Sequence, residues 1–563
     1  MIPDGDRRTY QLRISGSVFV PPIIPVALAG VDLRPVKQSL AIMSQRFSVA
    51  NSRFLPFGGL PSDVTTERSE YVTVYPTGGV SGPTIEFNIS ASQAGFVSLS
   101  QSYIASLLTI AHTAAGAAVS PYTDVTAPCE GFADAMWSNI QLYINGMDVS
   151  DATPGTYPYG AFYRNALTKS HDWVAGGLTR YAGAAPAVAE GAAVTAVAEL
   201  AGRTLATPAG WGAEFQGYAL YDKAIGRVAA NASVAGQNWG AVTETPVDNP
   251  AHAFRQSKIA WAGDPAGAAA APAANLSKGE FITTPQLGMW QNGSYLPANV
   301  DIRLVLTKAA DNFCLMDSIV APAGNIRWAA AGECSVRLML KRVYADSAMQ
   351  EEFDRAILER PLRYNITRSR VAAFQVGSAT AVDATNLLTG VRPDTVIVQF
   401  IPTAGVSGDY TYNPFASSSV VSYNTAHAAT ISGDAGDYCS SIYVVWGGQQ
   451  VPLRPMTATS VNDTAEPYAA YLAAASGGVF GEKTPMISPA GMRGGRLFYT
   501  FQLNPDGARA GTQAMDLSNH GSLEVHATIV RGAGTETTTM MVIGYHAASV
   551  EVDANRIIRK EGM

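Results

Sequence analysis

Charge is the scarcest commodity in this chain: Asp, Glu, Lys and Arg make up only 15% of its 563 residues, against a usual ~25%. The 38 cations and 45 anions leave a formal net charge of −7, too dilute to draw the surface to phosphate backbones or anionic lipid. Basic knots are few and short, chiefly Arg368-Ser369-Arg370 and Arg556 through Lys560. They read as solvated charges or ion-pair partners, so no sequence-specific nucleic-acid binding is expected. Lysine is rarer still, with 9 Lys to 29 Arg. Arginine's weakly hydrated fork suits ion pairs between surfaces. The bias fits a surface largely covered by partners, and it fits a GC-rich genome equally well. Long apolar runs are also missing. A membrane-spanning helix needs ~18–20 such residues, and the nearest stretch, Ser17 to Gly30, is interrupted by Pro21, Pro22 and Pro25. Asp4 and Asp6 spoil the basic start of a signal peptide, so this region is expected to be an extended N-terminal arm without a transmembrane segment.

The four cysteines (Cys129, Cys314, Cys334, Cys439) include no CxxC pair and no ligand-like spacing. A reducing compartment fits them best, and Cys334, on the apolar side of an alternating run, reads as a small buried hydrophobe. The catalytic signatures GxSxG, HExxH and GxxxxGK[ST] are absent. No enzyme and no cofactor are expected. The one weak metal candidate is His520, Glu524 and His526, which share one face of a strand. Leu523, Val525, Ala527 and Ile529 make the other face a core, so the polar set reads as an ordinary exterior.

What the chain does have is apolar residues at 47%, which excludes wholesale disorder, and period-two alternation. It recurs at Glu70 to Tyr75, Thr84 to Ser90, Asn139 to Asn145 and Val300 to Thr307. Val336, Leu338 and Leu340 point one way while Arg337 and Lys341 point the other. Such repetition marks half-buried antiparallel sheets. Further strands are expected at Val371 to Val376, Thr395 to Ile401, Ser441 to Trp446, Leu497 to Leu503, Leu523 to Val530 and Thr539 to Tyr545. One helix stands out: Asp346 or Ser347 caps it, Met349, Phe353 and Ile357 share a face, and Pro361 stops it. Residues 168–279 are rich in Ala, Gly and Pro and carry too few bulky side chains for a core of their own. The expected layout is an arm over 1–65, a first β domain over 66–345 with 168–279 as an insertion, a linker helix over 346–361, and a second β domain over 362–563.

A family resemblance rests on a series of short strings in fixed order. Trp137 through Gly146, followed by Tyr157-Pro158-Tyr159-Gly160-Ala161-Phe162, is similar to a strand, an xNG turn and a YPYxA loop of double jelly-roll major capsid proteins. Ser294 through Val300 and Arg360 through Ile366 resemble later signatures of the same proteins. In the second half the likeness continues through Arg392 to Val398, Tyr412-Asn413-Pro414-Phe415, Val445 to Pro452 and Tyr468 to Leu472. It closes with Phe498 to Asp506, Asn519 to Leu523 and Val550 to Arg556. The chain thus resembles the hexon-like lineage of Polintons, adintoviruses and adomaviruses, over roughly 130–165 and 280–560.

The resemblance implies an all-β fold of two tandem eight-stranded jelly rolls joined by a short helix. It implies a homotrimeric, pseudo-hexagonal capsomer that tiles an icosahedral virion, assembled inside the host cell. Partners would be other copies of the chain, then penton and minor capsid or cement proteins. Residues 168–279 would form an outer tower and 1–60 an inner arm tying capsomers together. Two other classes compete. A glycan-processing hydrolase on paired jelly rolls would need carboxylates with separated pKa values, and no such pair is visible; a receptor-binding surface protein would be an isolated fibre or monomer. Interface residues are not legible, because an apolar patch for a neighbour reads like core.

Overall fold

In the computed structural model, the described residues run from 66 to 561; residues 112–126, 170–275, 317–324, 419–436, 476–484 and 505–519, with some shorter stretches, lie outside them. The expected arm over 1–65 and nearly all of the 168–279 insertion therefore lie outside the described residues.

The first half contains β1 (Thr66–Val74), β2 (Thr84–Ile89), β3 (Phe96–Ala111), β4 (Ala127–Pro128), helix α1 (Phe132–Ala135), β5 (Trp137–Ile144) and β6 (Met147–Asp148). Helix α2 (Tyr157–Thr168), β7 (Leu276–Thr283), β8 (Ile302–Lys308), α3 (Asp311–Cys314), β9 (Leu315–Met316), β10 (Asn325–Ile326) and β11 (Ser335–Ala345) complete it. After helix α4 (Ser347–Glu359) come β12 (Leu362–Gly377), β13 (Ala381–Ala384), β14 (Thr389–Val391), β15 (Thr395–Pro402), α5 (Thr403–Ser407), β16 (Tyr438–Trp446) and β17 (Gln449–Met456). The second half ends with α6 (Ala465–Ala474), β18 (Tyr499–Gln502), β19 (His520–Val530), β20 (Thr538–Val552) and β21 (Ile558–Glu561).

The two halves have the same wiring. One sheet of the first half runs β1-β11-β3, and Ile104 to Leu107 of β3 pair with both β11 and β7, which puts β7 on the opposite edge of β3. The facing sheet runs β2-β8-β5-β6. In the second half the sheets are β12-β20-β15-β18 and β13-β19-β16-β17. Counting the eight main strands of each half in chain order, both sandwiches read 1-8-3-6 over 2-7-4-5, which is the jelly-roll order. The repetition extends to turns. Asn145-Gly146 joins β5 to β6 at φ +48° and +77°, and Gly447-Gly448 joins β16 to β17 at φ +56° and +82°. Two consecutive left-handed residues make the turn whose twist matches a hairpin.

The alternation expected from sequence is seen in the burial. Ile302, Leu304 and Leu306 of β8, and Val336, Leu338 and Leu340 of β11, lie in the core with Val300. All four cysteines are free thiols and buried, Cys334 among them. The linker helix α4 packs through Ile357, which is buried, and through Phe353, whose ring meets Phe96 edge-on at 5.0 Å. Met349, expected on the same face, is exposed in the first turn. Two segments depart from the sequence reading. Tyr157 to Phe162, expected as a loop, begins helix α2, with Pro158 in the first turn, where its missing N–H costs nothing. The 16-residue β3 was not visible as a strand at all.

Candidate functional site: the seam between the two sandwiches

Several of the strings that carry the family resemblance, among them Tyr157 to Phe162, Asn413 to Phe415, Tyr468 to Leu472 and Phe498, meet between the sandwiches. Helix α2 belongs to the first sandwich, yet Tyr157 through Leu167 are all buried, because the second sandwich closes over its other side. Such a helix has no polar face, which explains why no amphipathic period announces it. The contact is close. A Cβ on Gly160 would lie 2.9 Å from Ser369 Oγ on β12, so only glycine lets the helix backbone reach the sheet. The Tyr545 hydroxyl of β20 donates to the Gly160 carbonyl at 3.0 Å. The Tyr163 hydroxyl meets the Gln399 side chain of β15, and Gln399 in turn donates to the Phe415 carbonyl at 2.9 Å.

Aromatic rings fill the space beside the helix. Phe415, in the Asn413-Pro414-Phe415 turn of the second sandwich, stacks on Phe162 with centroids 4.6 Å apart and planes at 12°. It meets Tyr159 edge-on at 5.7 Å and Phe313 at 6.4 Å. The turn is preformed, since Asn413 Oδ1 accepts from the Phe415 N–H at 3.0 Å. Tyr163 packs on Phe498 at 5.3 Å, and Tyr471 of α6 packs on Phe498 at 5.2 Å while donating to the Ala166 carbonyl at 2.7 Å. Burial raises the pKa of the Tyr159 phenol, keeping it neutral at any physiological pH.

An ion pair sits within this apolar seam. Arg164 Nη2 lies 2.6 Å from Asp151 Oδ2, with side chains only 7% and 1% exposed. Arg164 also donates to the Gln286 carbonyl at 2.6 Å and, across the seam, to the Thr367 carbonyl at 2.8 Å. Asp151 Oδ2 accepts from the Gly288 N–H at 2.8 Å, and Arg368 Nε of β12 stands 3.9 Å from Asp151 Oδ1. Arg368 reaches further, to the Ser150 carbonyl. Gly288 lies so close to the second sandwich that a Cβ there would be 2.4 Å from the Thr367 carbonyl oxygen. Smaller clasps flank this centre: Tyr364 to the Tyr295 carbonyl at 2.9 Å, Asn312 to the Gly408 carbonyl at 2.7 Å, and Asn145 to the Arg556 carbonyl at 2.6 Å. Of the basic knots of the sequence, Arg368 is thus spent on the buried Asp151 and a carbonyl, while Arg370 donates to the Thr389 carbonyl and Arg556 lies 3.6 Å from the exposed Asp354. The arrangement fixes one sandwich against the other.

The structure does not bring His520, Glu524 and His526 together as a metal site. They share a face of β19, as expected, but His520 and His526 are six residues apart along the strand, a span of about 20 Å. His526 is engaged otherwise: Nδ1 lies 2.8 Å from Asp383 Oδ1, Nε2 lies 3.6 Å from Glu524 Oε2, and the ring stacks on Tyr443 at 4.9 Å. Among the described residues no His, Cys, Asp and Glu group has metal-holding geometry. Among the described residues, the two carboxyls that burial raises, Asp311 (to about 6) and Asp394, lie in different halves of the chain.

One buried titratable group went unnoticed in the sequence. His546 of β20 is 2% exposed, and burial, helped by repulsion from Arg370 and Arg368, pulls its pKa down to about 4 from an ordinary 6.5. Its folded pKa lies below its unfolded one, so the unfolded chain binds the extra proton first. The neutral ring's contribution is whole above pH 6.5 and is lost as pH falls toward and through 4. Full loss is worth on the order of 3 kcal/mol. The melting temperature of the wild type should therefore fall over this window more steeply than that of His546→Gln, which has no proton to take up. Parallel curves for the two proteins would refute the assignment.

No protein-family model matches the chain, and no curated protein matches it in sequence. Among solved structures it is similar to PBCV-1 VP54 as fitted into a reconstruction of the virophage Sputnik, at 11% identity over 90% of this chain and 98% of that one, with a TM-score of 0.47. It is similar to the Sputnik virophage structure at 12% identity, covering 96% of this chain and 94% of that one, with a TM-score of 0.46. The mavirus major capsid protein aligns at 10% identity over 96% of both chains, with a TM-score of 0.42.

Proposed function

We propose that this chain is a viral major capsid protein, a structural subunit of the virion shell and not an enzyme. The observation that carries the reading is the duplicated jelly roll whose two copies are locked by a seam built from the residues of the family resemblance. Fold alone does not give function; here the strings Tyr157 to Phe162, Asn413 to Phe415, Tyr468 to Leu472 and Phe498 all supply that one joint. A rigid pair of sandwiches is a suitable tile. Three such chains present six sandwiches, a pseudo-hexagon, and trimers meeting side by side cover an icosahedral shell. Penton and minor capsid or cement proteins would complete it. Covering by neighbours also accounts for a chain with few charges and many sheet edges.

Light scattering or native mass spectrometry of the purified protein tests this directly. The expected particle is about three times the 59.1 kDa of one chain, or larger multiples of that trimer. A stable soluble monomer at every concentration tried would overturn the capsomer.

A further inference from the structure

Helices α2 and α6 occupy the same place in their sandwiches, between the fifth and sixth main strands, and both carry Pro-Tyr in the first turn: Pro158-Tyr159 and Pro467-Tyr468. When Pro158 is aligned on Pro467, the α2 residues that meet the second sandwich, Gly160, Tyr163 and Arg164, correspond to Ala469, Leu472 and Ala473. The first three are buried. Ala469 and Ala473 are exposed and Leu472 is half-buried. α6 buries only Pro467, Tyr471 and Ala474.

The receiving surface is duplicated too. α2 lies on the outer face of β12-β20-β15, where Gln399 and Tyr545 are buried and β15 is buried from Val396 to Ile401. The equivalent sheet of the first sandwich, β1-β11-β3, still alternates. Its outer face leaves Tyr71 exposed and Tyr103, Ala105, Leu107 and Met339 half-buried. The chain therefore has one filled joint and the two open halves of a second, one on each sandwich. Charge agrees with this pairing: the open sheet face bears Arg337 and Lys341, and the only charge on α6 is Glu466.

We propose that the open halves fill each other between copies, with α6 of one chain docking on the outer face of β1, β11 and β3 of the next as α2 docks on β12, β20 and β15 within the chain. This deepens the capsomer reading and rests on it. The contact is head-to-tail, the kind that closes into a ring when its rotation allows. The internal joint supplies the pattern for that rotation, and small side chains at 469 and 473 let the helix approach the sheet as Gly160 does.

Sedimentation velocity on the full chain tests the joint through Ala473→Arg, Ala469→Glu and, on the receiving face, Ala105→Arg, with Ala473→Ser as control. Each charged variant is expected to keep the far-UV circular dichroism of the wild type and to sediment at the 59.1 kDa of one chain, while Ala473→Ser assembles normally. Combining Ala473→Arg with Ala105→Glu in one chain should restore some assembly, because opposite charges then face each other at every joint of the ring. Charged variants that assemble like the wild type would overturn the joint and leave the trimer standing. A wild type that stays monomeric would overturn the trimer itself.

Discussion

Arg164→Ala should be among the most damaging single substitutions in this protein, costing about 3–5 kcal/mol. The reason is what it leaves behind. Asp151, 1% exposed, would keep a carboxylate without its 2.6 Å partner, and the Gln286 and Thr367 carbonyls would lose their donor. The Gly288 N–H and the more distant Arg368 would remain, too little to replace the hydration a buried carboxylate forfeits. Folded domains have only ~5–15 kcal/mol in hand, so the loss should appear as a large drop in the urea midpoint. Arg164→Met, which keeps the length of the side chain, should be nearly as harmful, and adding Asp151→Leu to it should restore much of the stability by removing the stranded charge. A change below about 1 kcal/mol for Arg164→Ala would show that water reaches the pair and that the seam is not closed.

Phe415→Ala is expected to cost about 3–5 kcal/mol, by lost burial and by the cavity left between Phe162, Tyr159 and Phe313. The ring pairs add to the loss, at about 0.5–1.5 kcal/mol each. Phe415 lies on the second sandwich and its three neighbours on the first, so the variant loosens the joint as well as the core. Amide exchange should then accelerate in α2 and in β12 while the inner strand β19 stays protected. Phe374→Ala, on the 36% exposed edge of β12, is the matched control and should cost less than about 1 kcal/mol. Equal losses for the two would mean that the aromatic cluster has no special part in holding the halves together.

The legible and illegible parts of this chain divide along a physical line. Strands with one wet face write their period into the sequence, as β8, β11 and β19 do; β3 is the exception, because Ser98, Ser102 and Ser106 on its buried side blur the apolar period. Strands buried on both faces carry no such alternation: β20 is apolar through Met540-Met541-Val542-Ile543 because the core covers one side and the seam the other, and only its β-forming residues mark Thr539 to Tyr545 as a strand. Helix α2 fails to announce itself for the same reason. The Asp151–Arg164 pair was invisible because nothing local links residues 13 apart across a turn and a helix. The His520, Glu524 and His526 set was legible as a shared strand face, but facing the same way is not being close. Only the pairing of β19 with β13 showed that Asp383 takes His526.

By itself, the sequence determined that this protein is built from antiparallel β-sheets with a helix near its middle, and its ordered strings pointed to tandem jelly rolls. Alternation, turn residues and helix caps are local properties, set by a few neighbouring residues and therefore readable in order. The tertiary structure alone decided that Tyr157 to Phe162 forms a helix, that it is buried against the other sandwich, and that Arg164 and Arg368 are used there. It also decided which copy of the repeated joint is filled and which is open. Those outcomes depend on which distant surfaces come together, and burial by a remote partner leaves no period in the chain that is buried.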